Sequence, residues 1–161
     1  MAPVRAYVGL GANLGDTRAT LDAAFAALAA LPHTVLAARS PLYRSAPVDA
    51  VGPDFLNAVA ALDTTLAPLD LLRELQRIEV THRRERPHRN APRTLDLDLL
   101  LYGVQCVDDP ALQVPHPRMH QRAFVLRPLL DLEPEAVVPG TGPAADCLSR
   151  IVGQPIEKVS P

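Results

Sequence analysis

The sequence has 161 residues, 48% hydrophobic and 21% charged, which suits one globular domain spanning residues 1–161. The net charge of −2 disfavours a general polyanion binder, which should carry a clear basic excess, so we expect no nucleic-acid partner. No apolar run approaches the roughly 18 residues of a membrane span, and no secretory leader opens the chain, so we expect a cytoplasmic protein with no membrane partner.

Hydrophobic periodicity predicts six elements in the first two thirds of the chain. In chain order they are a strand over 4–10, a helix over 17–31, a strand over 33–44, a strand over 55–63, a helix that begins at Pro68, and a strand over 94–102. Asp16 is the expected cap of the first helix, and Pro41 reduces its part of the second strand to an edge or a bulge. The polar, arginine-rich residues 81–92 predict a loop.

The order strand, helix, strand, strand, helix, strand is typical of an α+β, ferredoxin-like βαββαβ core. Such a core has an antiparallel sheet with both helices packed on one face. Beyond it, a third helix over 123–132 and a short helix over 144–151 are predicted as C-terminal additions.

Two aspartates occupy alternate positions in the last predicted strand, within Pro92-Arg-Thr-Leu-Asp-Leu-Asp98. Side chains alternate between the faces of a strand, so Asp96 and Asp98 point the same way, roughly 6.5 Å apart. Their charges repel by about 2.5 kcal/mol at an effective dielectric constant of about 20. A pair of Mg²⁺ ions shared with a substrate's phosphates would explain the arrangement; a solvated polar face of an edge strand is the alternative. Alternate leucines are expected in the core: Leu95, Leu97, Leu99 and Leu101.

Basic residues lead directly into this acidic strand. Five arginines lie between positions 83 and 93, and guanidinium groups match phosphate oxygens bidentately: Arg83, Arg84, Arg86, Arg89 and Arg93. A solvated basic loop or a weak nucleic-acid patch is the alternative. The only lysine is Lys158, near the end of the chain. This position excludes a Walker A loop and a protein-kinase site, and it disfavours lysine Schiff-base chemistry. The pattern favours metal-assisted phosphoryl chemistry outside the P-loop class.

Other candidate residues carry weaker signals. His116, near Arg118 and Arg122, is placed to donate to phosphate oxygens. A zinc site built on His116 and His120 is improbable, because no third ligand is evident. Asn57 shares a strand face with Phe55 and could bond the amide edge of a flat heterocycle stacked on that ring; an ordinary core role is the alternative. The glycines between residues 9 and 15 indicate a strand-to-helix turn, since the pattern fails the dinucleotide fingerprint. Cys106 and Cys147 are expected to be reduced, structural thiols.

Several segments together resemble a known family, the 6-hydroxymethyl-7,8-dihydropterin pyrophosphokinases of folate biosynthesis. They occur in the order Tyr7–Asp16, Leu42–Pro47, Asp54–Ala58, Pro92–Asp98, and Val114–His116 with Arg122–Phe124. The resemblance runs from about residue 6 to residue 134. It implies transfer of pyrophosphate from ATP to the pterin hydroxymethyl group, with release of AMP and with two Mg²⁺ ions.

The resemblance also implies roles for individual residues. Asp96 and Asp98 would bind both metal ions, and Asn57 would recognise the pterin. The pterin would stack between Phe55 and Phe124. Backbone contacts to it would come from Ser45 and Ala46. Nucleotide and phosphate contacts are implied for Gln76, Glu79, Arg86, Arg93, His116 and Arg122, and Arg84 and Arg93 are the implied catalytic cations. ATP and the pterin are the expected partners of a monomer.

Two other functions fit the same fold. A ferredoxin-like RNA-binding module would use the loop arginines, but it should present aromatic platforms on its sheet, and aromatic residues make up only 4% of the chain. A regulatory domain that binds a small molecule would leave the paired aspartates without a role.

Overall fold

The structure, a computed structural model, describes residues 2–47, 52–84 and 95–160, without the side chains of residues 83 and 84. In chain order the elements are β1 (Val4–Ala12), α1 (Thr17–Ala29), β2 (Thr34–Arg39), β3 (Tyr43–Ser45), β4 (Phe55–Thr64), α2 (Pro68–Arg84), β5 (Asp96–Tyr102), β6 (Val107–Asp109), β7 (Leu112–Val114), a short 3₁₀ turn (Met119–Gln121), α3 (Ala123–Leu132), β8 (Val137–Val138), β9 (Gly142–Pro143), α4 (Ala144–Ser149) and β10 (Ile156–Lys158). Within the described residues, no helix is both long and apolar enough to cross a membrane.

The main sheet has the order β10-β3-β4-β1-β5, with β2 also paired to β4, and every pairing in it is antiparallel. The predicted βαββαβ core is therefore confirmed. Asp16 caps α1 as predicted, because its Oδ1 accepts a hydrogen bond from the Ala19 N–H at 3.1 Å. The α2 helix continues through residues 81–84, where a loop was expected, since no proline or glycine interrupts it before Pro87.

The predicted strand over 33–44 is two strands separated at Ser40. The Ser40 hydroxyl accepts the Val59 N–H at 2.8 Å, and the Ser40 N–H donates to the Val59 carbonyl at 2.9 Å. Pro41 follows without an N–H of its own, which ends the regular ladder. The break lets β2 pair with one end of β4 and β3 with the other.

The sheet is covered on both faces. The α1 and α2 helices pack on one face, where Phe25 and Leu75 are buried. The α3 and α4 helices pack on the other, where Leu126 and Cys147 are buried. The alternation predicted for β4 is confirmed, because its even-numbered apolar residues from 56 to 62 enter the first core while Val59 and Ala61 enter the second. Cys106 and Cys147 are both free thiols; Cys147 is buried in the second core as expected, whereas Cys106 is exposed, so the structural role expected for it was wrong.

One expectation for β5 needs correction. Leu95, Leu97 and Leu99 enter the first core as predicted, but Leu101 lies in the second. The cause is a register shift: Val8 pairs with Leu99 and Tyr7 with Leu101, which leaves Leu100 as an extra residue. A β-bulge of this kind reverses the facing of the residues beyond it.

A hydrogen bond ties α3 to the sheet beside the second core. The phenol of Tyr43 on β3 donates to Oδ2 of Asp131, while Arg127 donates to Oδ1 of the same carboxylate at 3.4 Å. Burial and this hydrogen bond raise the pKa of the Tyr43 phenol. The folded protein therefore holds the phenolic proton more tightly than the unfolded chain does.

Tyr43→Phe should lower the free energy of unfolding by about 1 kcal/mol, because one tertiary hydrogen bond is lost while the ring stays buried. The contribution is present below the ordinary tyrosine pKa of about 10 and disappears as pH rises through the raised value. Urea titrations of both proteins at pH 7 and above pH 10 measure the difference. Equal unfolding free energies at pH 7 would contradict the assigned bond.

Candidate active site

A cavity of about 810 Å³ opens between the sheet and the N-terminal end of α3. The strands β1, β3, β4 and β5 form its floor, and the segment from the 3₁₀ turn into α3 forms one wall. Predicted site residues from distant parts of the sequence meet here: Ser45, Ala46, Phe55, Asn57, Asp96, Asp98, Arg122 and Phe124.

The two aspartates face the cavity from β5, and both are half-buried. Their cross-strand partners on β1 are glycines: Gly11 pairs with Asp96 and Gly9 with Asp98. A Cβ atom on Gly11 would lie 3.6 Å from Asn57 Oδ1. A Cβ atom on Gly9 would contact the Leu100 side chain at 3.5 Å. Glycine at both positions means that no β1 side chain stands beside the carboxylates. Gly9 lies in β1, as the predicted strand over 4–10 implies, but Gly11, expected in the turn, also belongs to β1, so that expectation was wrong at Gly11.

The α2 helix supports the acidic strand. A carboxylate oxygen of Glu79, Oε2, accepts the backbone N–H of Leu97 at 2.8 Å, midway between the two aspartates. This bond satisfies an N–H at the edge of the sheet and fixes the strand that carries the site. Gln76, one turn earlier on α2, is exposed and does not line the cavity.

A second cavity of about 470 Å³ lies on the other side of Asp98. It is lined by β5, by the β6–β7 hairpin and by His116, and Asp98 borders both cavities. The His116 Nδ1 accepts the Arg118 N–H at 3.1 Å, so the neutral ring carries its proton on Nε2. Burial lowers the pKa of His116, and Arg122 and Arg118 lower it further against the opposing effect of Asp98. His116 is therefore a neutral hydrogen-bond donor at pH 7.

Asn57 is held in one orientation. Its Nδ2 donates to the Ser45 hydroxyl at 2.8 Å and to the Tyr43 carbonyl at 3.3 Å, and the residue is 3% exposed. A carbonyl oxygen only accepts, so the amide cannot be flipped. Both amide protons are used, which leaves Oδ1 on the cavity side as an acceptor for a ligand N–H.

Aromatic and cationic groups complete the wall. Phe55 on β4 and Phe124 on α3 both line the cavity, and the Arg122 guanidinium lies 5.6 Å from the centroid of the Phe124 ring. Arg118, adjacent to His116 through its backbone, also lines the cavity. Of the remaining predicted cations, Arg86 and Arg93 lie outside the described residues, and only the backbone of Arg84 is described.

The carboxylates of Asp96 and Asp98 suit a metal ion that is bound partly by the protein and partly by a phosphate ligand. Among the described residues, no three His, Cys, Asp or Glu side chains cluster as a self-sufficient metal site. Asp96 and Asp98 supply hard oxygen atoms beside a cavity large enough for phosphates, and Mg²⁺ is commonly held by one or two carboxylates together with phosphate oxygens. The residues present therefore fit Mg²⁺ bound together with a phosphate ligand.

Sequence reasoning did not assign several cavity residues to the site, among them Gly11, Gln121 and Gln154. The alternation of glycines at positions 9 and 11 inside a strand pattern was the available signal for the first. No local signal existed for Gln154, which lies beyond the last predicted helix and reaches the cavity through tertiary packing alone.

A family model and curated relatives of the chain all point to the same family. The family model described as 7,8-dihydro-6-hydroxymethylpterin-pyrophosphokinase (HPPK) matches residues 7–134. A protein of Pseudomonas aeruginosa named 2-amino-4-hydroxy-6-hydroxymethyldihydropteridine pyrophosphokinase is 50% identical over 156 residues, which cover 96% of each chain. A protein of the same name from Haemophilus influenzae is 39% identical over 159 residues, covering 98% of this chain and 99% of its own.

Solved structures show the same fold at low sequence identity. A crystal structure of an HPPK-DHPS in complex with substrates matches with a TM-score of 0.74 at 11% identity. The Plasmodium falciparum HPPK-DHPS S436F/A437G/A613T triple mutant with STZ-DHP matches with a TM-score of 0.73 at 13% identity. In each case 92% of this chain is covered, and it spans 43% of the length of the longer neighbour.

Proposed function

Since the chain belongs to the 7,8-dihydro-6-hydroxymethylpterin-pyrophosphokinase family, we propose that its larger cavity is the site where ATP and the pterin react. The enzyme transfers pyrophosphate from ATP to 6-hydroxymethyl-7,8-dihydropterin in folate biosynthesis. The pterin hydroxyl group gives up its proton to solvent and its oxygen bonds to the β-phosphorus. The bond from that phosphorus to the oxygen bridging it to the α-phosphorus breaks, and AMP leaves with that oxygen. The observation that carries this assignment is the meeting of Asn57 and Asp98, from different strands, in one cavity.

The pterin end of the cavity is formed by β3, β4 and α3. The fixed Oδ1 of Asn57 accepts an N–H of the pterin amide edge, and the ring lies between Phe55 and Phe124. Ser45 and Ala46 line the same end and offer backbone groups to the remaining polar atoms. A flat, apolar slot with one oriented amide selects a heterocycle with matching donors.

The phosphate end is formed by β5 and the N-terminal end of α3. Arg122 and His116 donate to phosphate oxygens, and the family resemblance assigns Arg84, Arg86 and Arg93 to the same phosphates. Glu79 keeps β5 in place through Leu97, which supports a positioning role for this residue. Because the pterin end and the phosphate end belong to one cavity, the two substrates are held with the hydroxyl oxygen close to the β-phosphorus. Such positioning is the main contribution that a protein makes to phosphoryl transfer.

Asp96 and Asp98 would hold two Mg²⁺ ions against the triphosphate. When bound, these ions supply charge neutralisation on the transferred group and on the leaving AMP. The carboxylates contribute a fixed pair of oxygen donors whose mutual repulsion a cation relieves.

The nucleotide product tests the proposed reaction directly. Incubation of the protein with Mg-ATP and 6-hydroxymethyl-7,8-dihydropterin should release AMP in proportion to the pterin consumed, and omission of the pterin should stop the release. Formation of ADP, or release of AMP without the pterin, would contradict pyrophosphoryl transfer.

Asp98→Asn should slow AMP formation about a thousandfold at saturating Mg²⁺ and substrates, because a loss of roughly 4 kcal/mol of transition-state stabilisation has that effect. The substitution nearly keeps the side-chain volume, removes the charge and replaces one metal-binding oxygen by an NH2 group. Asp146→Asn on the exposed surface of α4 is the matched control and should keep the wild-type rate. A wild-type rate for Asp98→Asn would remove this residue from the metal site.

Asn57→Ala should weaken pterin binding by roughly tenfold to a hundredfold, since a buried polar contact worth about 1–3 kcal/mol is lost. Affinity for the Mg²⁺ complex of α,β-methylene-ATP, measured on the same variant, should stay within about twofold of wild type. Calorimetric titration with each ligand measures both values. An unchanged pterin affinity, or an equal loss for both ligands, would contradict a pterin-specific role.

A further inference from the structure

The C-terminal segment after α4 reaches the cavity through one side chain. Gly153 adopts φ +76°, a left-handed conformation that glycine accommodates readily, and it turns the chain toward the sheet. Gln154 follows, half-buried, and lines the cavity wall. The chain then enters β10, which pairs with β3 so that Ile156 lies opposite Ser45.

The side-chain amide of Gln154 makes hydrogen bonds to the backbone on both sides of Arg122. Its Oε1 accepts the Ala123 N–H at 3.1 Å, and its Nε2 donates to the Gln121 carbonyl at 2.9 Å. The residue between these two backbone groups is Arg122. The paired bonds therefore hold the peptide groups on both sides of Arg122 in the manner of a single β-bridge.

Arg122 needs such support because of where it lies. It is the N-cap residue of α3, with an extended backbone (φ −121°, ψ 106°), and its own side chain makes no capping hydrogen bond. The first N–H groups of a helix lack partners within the helix. A guanidinium has no acceptor and cannot cap a helix. The Gln154 Oε1 supplies one of the missing partners from a separate part of the chain, at the residue next to Arg122, which lines the cavity.

We propose that Gln154 is a positioning residue that acts through Arg122, by fixing the backbone from which this arginine reaches the nucleotide phosphates; the inference rests on the proposed function. The same C-terminal segment pairs with β3, which carries Ser45. One segment thus links the wall that carries Arg122 with the strand at the pterin end of the cavity. This gives the residues beyond the family match at 134 a role in nucleotide binding.

A double-mutant cycle on the full chain tests the proposal, with the Mg²⁺ complex of α,β-methylene-ATP as the probe. Gln154→Met keeps the length of the side chain and removes both hydrogen bonds. We expect it to raise the dissociation constant about tenfold, and Arg122→Ala to raise it at least as much. In the Arg122→Ala background, Gln154→Met should add less than a twofold change, because its effect passes through the arginine.

Three controls make the outcomes distinct. Gln105→Met, at an exposed position outside the cavity lining, should bind the probe like wild type. Thermal unfolding of every variant shows whether the fold persists. If Gln154→Met fails to fold, Gln154→Asn takes its place: it keeps the amide but is one methylene shorter, so it cannot span both backbone groups.

Unchanged affinity in Gln154→Met, or an equal loss in both backgrounds, would overturn the positioning role, because the glutamine would then act on the ligand directly or not at all. If Arg122→Ala leaves the affinity unchanged, the assignment of Arg122 to the nucleotide fails, and with it the inference. A wild-type protein that does not bind the probe would instead overturn the proposed function itself.

Discussion

The pairing of β5 with two glycines of β1 is the constraint on which the rest of the site depends. In an antiparallel sheet, paired residues project from the same face. Asp96 and Asp98 therefore share a face with Gly11 and Gly9, and no β1 side chain fills the space in front of them. The leucines between and beside the aspartates enter the first core and hold the strand in this register. A slip by one residue would bury both carboxylates.

The α3 helix covers only part of the sheet face that carries the carboxylates, and ligands can bind at the part that it leaves open. The α3 helix covers the second face where Val59, Ala61 and Leu100 pack beneath it, while its N-terminal end stops over the aspartates. The bulge at Leu100 lets β5 contribute apolar residues to that same face beyond the acidic positions. One face therefore combines a hydrophobic anchor for α3 with an open polar site. The arginine at the start of α3 brings positive charge over the negative pair.

Local pattern was enough to predict much of this arrangement. The alternation in β4 placed Asn57 and Phe55 on one face, and the alternation in β5 placed Asp96 and Asp98 on one face, because strand periodicity does not depend on the rest of the fold. Pro41 indicated an edge or a bulge for the equally local reason that it lacks an N–H, although the structure has two separate strands there. The site roles of Ser45, Ala46, Phe124 and Arg122 came from the family resemblance, and the structure places all four at the cavity.

Features that depend on tertiary contact could not be predicted. The bulge at Leu100 moves Leu101 into the second core, so that consecutive leucines of β5 are divided between the two cores. The pairing of Gly11 with Asn57 and Asp96, and the bonds of Gln154, depend on which segment lies opposite, and a local window of sequence does not contain that information. Single-domain organisation, a monomeric state and the roles of the arginines between residues 84 and 93 stay predictions.

A crystal structure of the enzyme with Mg²⁺, α,β-methylene-ATP and 6-hydroxymethyl-7,8-dihydropterin tests the central claim most directly. The account predicts oxygen atoms of both Asp96 and Asp98 at about 2.1 Å from bound magnesium, with the phosphate oxygens completing the coordination. Magnesium held by phosphates and water alone, with both carboxylates turned away from it and the two substrates seated in the cavity, would contradict the account.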